Sequence, residues 1–182
     1  MNNNENNSSN KSVNYSCRLT REIFGILEQE SSKKGISLNS LINSILEKYV
    51  SLDRHAKDIE LISFTKRAVK RIFDNMDDKT IKEMADDVGG VVHRELVFLK
   101  FDELTFDNLM HVLIINASRF GSVKHSTKNS TQVICIHHGV NKKFSKFLAM
   151  IHETMANSLS IKIFITNVDQ NTVCMDIDEP SS

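Results

Sequence analysis

One stretch limits the fold more than any other. "VNYSCRLT", residues 13–20, alternates apolar Val13, Tyr15, Cys17 and Leu19 with polar Asn14, Ser16 and Arg18. A period of two describes an extended ribbon with one buried face and one exposed face. Beyond Thr20 the chain reads as helix for a long distance, and the next strand-like run is far downstream. A ribbon without a neighbour leaves its backbone N–H and C=O groups unpaired, so the pattern demands a partner strand from somewhere.

Two helices are written next. Thr20 is a suitable N-cap, Glu22 suits the positive end of the dipole, and Leu19 and Phe24 have staple spacing across the cap. Ile23, Ile26 and Leu27 form an apolar stripe, with Gly25 inside the helix at a cost of about 1 kcal/mol relative to Ala. Lys33, Lys34 and Gly35 read as a helix stop. Ser37 is a second N-cap, and Leu38, Leu41, Ile42, Ile45, Leu46 and Tyr49 come after it at helical spacing.

Strand, helix, "KKGISLNSLI", helix: this order resembles the ribbon-helix-helix superfamily of DNA-binding proteins, the MetJ/Arc/CopG type, over residues 12–51. Glu30 and Ser31 depart from it, standing where family members often carry apolar residues or Ala. Size argues independently for two copies. A module of roughly 40 residues without staples is too small to bury an adequate core alone. In a homodimer the two ribbons pair antiparallel and four helices close beneath them.

The resemblance implies a two-stranded ribbon lying in the major groove of double-stranded DNA. Asn14, Ser16 and Arg18 then face base edges, repeating roughly every 6.6 Å along the strand. It also implies a backbone clamp at the start of the second helix, where Ser37 and Asn39 match and Ser40 is adjacent. Arg21 and Lys34, with Lys11 and Lys33, add local positive charge near phosphates. The plainer alternative makes residues 13–20 an edge strand of a downstream sheet and Ser37 a simple cap.

The 182-residue chain is 40% apolar and 25% charged overall, with a formal net charge of zero, so any basic footprint must be local. Residues 1–11, nearly all Asn and Ser, offer no apolar surface to offset ordering and are expected to be disordered. Helices are expected over 52–74, over 79–97 with a break at Gly89-Gly90, and over 105–118. Strand-like runs then flank a helix over 141–158, which carries Phe144, Phe147, Leu148, Ile151 and Met155 on one side. The expected class is therefore α+β: a disordered tail (1–11), a ribbon-helix-helix module (12–51), and a mixed domain of about three helices and a ββαββ unit (52–182). That last domain is expected to serve oligomerisation, effector sensing or partner binding.

Three widely spaced cysteines, Cys17, Cys135 and Cys174, suggest no disulfide framework and a reducing cytosol. No apolar run approaches the ~18 residues of a membrane span, and a cytoplasmic protein with no membrane partner is expected. Cys135 and His137, two apart on a strand, invite a metal reading in which Cys174, His125 and His152 join. The blander reading, a core cysteine beside strand-end histidines, is preferred. A Cys/His nucleophile lacks an orienting acid. Lys66, Arg67, Lys70 and Arg71 form a basic helix face, read first as solvated. The resulting expectation is a dimeric or dimer-of-dimers transcriptional regulator, such as a repressor, with no enzyme activity and no cofactor. An antitoxin-like interaction module and a metal or ligand sensor are the alternatives.

Overall fold

The computed structural model describes residues 13–51, 53–55, 62–101 and 103–180. The expected disordered tail lies outside these residues, as does the middle of the expected 52–74 helix, including Ile59. The chain divides into two compact units, residues 1–48 and 49–182, so the boundary falls inside the second helix rather than after it.

In the first unit, α1 spans Arg21–Lys34 and α2 spans Leu38–Ser51. Thr20 Oγ1 accepts the Ile23 N–H at 3.3 Å, the capping geometry expected of a threonine before a helix. At the other end Gly35 sits at φ 65°, where a side chain would be strained. Its N–H reaches the Ser32 carbonyl at 3.2 Å and the Ile36 N–H reaches the Ser31 carbonyl at 3.1 Å. This double closure satisfies carbonyls that the helix end leaves free, and it turns the chain into α2.

Beyond the end of α2, the second unit has a short 3-10 turn, Asp53–His55. The expected helix over 52–74 is corrected here. Residues 62–65 are not helical, and the helix, α3, runs only over Lys66–Asp74. Thr65 caps it, its Oγ1 accepting the Ala68 N–H at 3.3 Å. The hydroxyl supplies the start signal that apolar periodicity alone overran. Helices α4 (Asp78–Gly89), α5 (Val92–Lys100) and α6 (Phe106–Ser118) come next, with the break at Gly89-Gly90.

Strands β1 (Ser122–Lys128) and β2 (Thr131–His137), helix α7 (Lys142–Ser158), and strands β3 (Ile163–Val168) and β4 (Thr172–Asp178) complete the chain in ββαββ order. The strands form one antiparallel sheet, ordered β1-β2-β4-β3, so α7 carries the chain from a central strand to the far edge. Alternation decides its two faces. Ile134, Ile136, Val173, Met175 and Ile177 point into the core with Phe144, Leu148, Ile151 and Met155 of α7. On its other side α7 packs against α4 so closely that a Cβ on Gly89 would lie 2.7 Å from the Ile151 carbonyl oxygen.

The register corrects the cysteine reading. Cys135 stands directly opposite Cys174 in the β2–β4 ladder, and the two form a disulfide with Cα atoms 4.1 Å apart. Their separation of 39 residues hid this, because strand register is not written in cysteine spacing. Cys17 is a free, exposed thiol.

Candidate nucleic-acid interface

Residues 13–20 form no strand within the single chain, and every side chain among them is exposed. Asn14, Ser16 and Arg18 are in solvent, and so are their apolar neighbours. Val13 is 86% exposed and Tyr15 90%. The same holds for α1 and α2. Ile23, Phe24 and Ile26 on α1 and Ile45, Leu46 and Tyr49 on α2 are exposed, while Leu41 is buried at 2%. Ser31, one of the two departures from the family pattern, is the buried residue of α1, its hydroxyl donating to the Glu28 carbonyl at 2.9 Å.

The start of α2 is organised around Ser37. Its Oγ accepts the Ser40 N–H at 3.1 Å and lies 2.8 Å from the Ser40 hydroxyl, so the fold brings these two serines together. Asn39 is exposed in the same turn. The Leu38 and Asn39 amides have no acceptor among the described residues, leaving donors free at the positive end of a helix.

Arg21 opens α1 and is exposed. Lys34, at its far end, is less free than its sequence position suggests. Its Nζ donates to the Glu30 carboxylate at 2.6 Å, an i,i+4 pair that sequence spacing already allowed. Such an exposed pair contributes at most about 1 kcal/mol and opens readily to a stronger anion.

The metal alternative loses its sulfur ligands, since Cys135 and Cys174 are bonded to each other. Among the described residues no three His, Cys, Asp or Glu side chains gather to hold an ion. His125 hydrogen-bonds Gln132 on the sheet, and His137 Nδ1 lies 3.0 Å from the Thr172 hydroxyl. His152 is buried on α7 with its ring 5.5 Å from that of His93 on α5. Burial pushes His93 down to about 3, helped by His152, and lowers His152 as well, so both are neutral core groups.

No protein-family model and no curated protein matches this chain. Among the described residues no helix is long and apolar enough to cross a membrane.

Proposed function

We propose that the chain is a sequence-specific DNA-binding regulator of transcription with a ribbon-helix-helix module at residues 12–51, and that it is not an enzyme. Residues 13–20 of two copies pair as an antiparallel ribbon. Asn14, Ser16 and Arg18 of each copy read base edges in the major groove, where Arg suits guanine and Asn suits adenine. Ser37, Asn39 and Ser40 hold the DNA backbone at the start of α2, with Arg21 and Lys34 alongside. Twofold symmetry favours pseudo-palindromic sites.

The observation that carries this reading is the uncovered apolar surface of the first unit. Val13 and Tyr15 alternate with polar residues and are almost fully exposed, and the outward apolar side chains of α1 and α2 are exposed too. A unit that leaves so much apolar surface in water gains stability by burying it against another copy, at ~25 cal/mol per Å². The expected binding is steeply salt-dependent.

The test is a genome-wide map of bound DNA, repeated with an Arg18→Ala variant. Discrete sites sharing a pseudo-palindrome, with relaxed preference in the variant at a cost of about 1–3 kcal/mol, support the proposal. Undiminished preference in Arg18→Ala would remove the assigned role.

A further inference from the structure

We propose that the second unit carries a phosphate-backbone-binding surface of its own, formed by α3 and the first turns of α7, whose partner is a nucleic-acid duplex held without regard to sequence. Helix α3 packs its apolar side on α7: the Phe73 ring lies 5.0 Å from Phe144 and 5.2 Å from Phe147. Its other side carries Lys66, Arg67, Lys70 and Arg71, all exposed. The packing sets these beside a second basic run about seventy residues later, Lys142, Lys143 and Lys146. Asn141 Nδ2 donates to the Asp74 carboxylate at 2.7 Å, and Lys143 Nζ donates to the Asp74 and Met76 carbonyls at 3.2 and 2.6 Å. Lys66 extends the patch the other way, its Nζ 3.8 Å from where a Cβ on Gly139 would stand.

The acids nearby are already engaged. Asp74 is paired with Lys70 at 3.0 Å, Asp78 with Lys146 at 2.9 Å, and Asp77 caps α4 through the Thr80 N–H. Lys66, Arg67, Arg71 and Lys142 remain exposed, with no hydrogen bond or ion pair among the described residues. Four uncompensated cations on one surface of a chain with zero net charge make a local polyanion footprint. They are spread along a surface rather than convergent: Lys66 and Arg71 alone are separated by about 7.5 Å of helix rise. That suits successive phosphates of a backbone better than one small anion. A bilayer fits less well, because the apolar side of α3 is packed on α7 and is not free to enter lipid.

The experiment measures binding of the full chain to a labelled random-sequence duplex across a salt series. An Arg67→Gln/Arg71→Gln variant is compared with a Lys79→Gln control on α4, and circular dichroism verifies folding. Losing two phosphate contacts should lower the slope of log affinity against log salt by about 2 and weaken binding about tenfold at moderate salt. Unchanged affinity and slope in a folded variant overturn the proposal. So does loss of binding to phosphatidylserine vesicles while duplex binding stays intact. This surface does not depend on residues 13–20. Arg18→Ala should therefore leave the random-duplex slope within about 1 of the parent, and failure there counts against the ribbon reading alone.

Discussion

The buried ring of His138 is held between two protein groups: the Val140 N–H donates to its Nδ1 at 3.1 Å, and its Nε2 lies 2.7 Å from the Ser145 hydroxyl. Because Nδ1 accepts, the proton sits on Nε2, and Ser145 Oγ receives that bond while donating onward to the Asp169 carbonyl at 2.6 Å. A second proton on Nδ1 would oppose the Val140 amide. Burial, with His137 and Lys66 nearby, pushes the ring down to about 4. In the unfolded chain it titrates near 6.5, so between those values the unfolded state holds more protons and stability rises with pH. Stability should fall as pH drops from about 7 to 5, by on the order of 2 kcal/mol for this ring and a similar amount for His93. Urea midpoints across that range check this. A His138→Asn variant should show a shallower slope, and a flat profile in the parent chain would contradict the network.

The cross-strand pair gives a second expectation. Reduction of Cys135–Cys174, or the double change to Ser, should lower stability by about 2–4 kcal/mol, because closing a loop of this length restricts the unfolded chain. Denaturant titration with and without reductant measures it. An unchanged midpoint would mean that the two thiols do not pair in solution.

Close helix packing gives a third. Gly89→Ala removes a poor helix former, yet its Cβ would meet the Ile151 carbonyl oxygen and lie 2.9 Å from Thr154 Cβ. Backbone cannot rotate away as a side chain does, so the net effect should be destabilising by about 1–3 kcal/mol despite the propensity gain. Gly90→Ala, where a Cβ meets nothing within 4 Å, is the matched control and should be neutral or mildly stabilising. Thermal melts of both decide it.

The fourth concerns the caps and the assembly of the first unit. Ser37→Ala loses the acceptor for the Ser40 N–H and should cost about 0.5–2 kcal/mol, whereas Ser37→Gly should cost only a few tenths. If the first unit assembles through its exposed apolar surface, sedimentation velocity should show a concentration-dependent dimer. Tyr15→Asp and Leu46→Asp should each shift it toward monomer. A monomer at all concentrations in the parent chain would leave that surface without a partner copy.

How much of the fold is legible in the sequence varies with the physics that sets each element. Thr20, Thr65, Asp77, Thr105 and Asn141 each cap a helix through a side-chain oxygen, and such signals are local, so most helix boundaries can be read directly. Thr65 is masked as a start because Ile59, Ile62 and Val69 maintain an apolar rhythm straight through it. The ββαββ order is equally local. The pairing of β2 with β4 is not, and the disulfide depends on it, since alternation assigns faces but never neighbours. Asn14, Ser16, Arg18, Arg21, Ser37 and Asn39 are exposed in the described chain, a placement that their polar character already indicates. Residues 13–20 are different in kind: their period of two is written in the sequence, yet within the single chain they form no strand.

The bond between the two central strands also makes part of the molecule a closed covalent ring, with α7 and β3 threaded along it. A protease that cut the connection after α7, at the exposed Ser160 or Lys162, would nick this ring without freeing a fragment. The two pieces would separate only once the sulfurs were reduced.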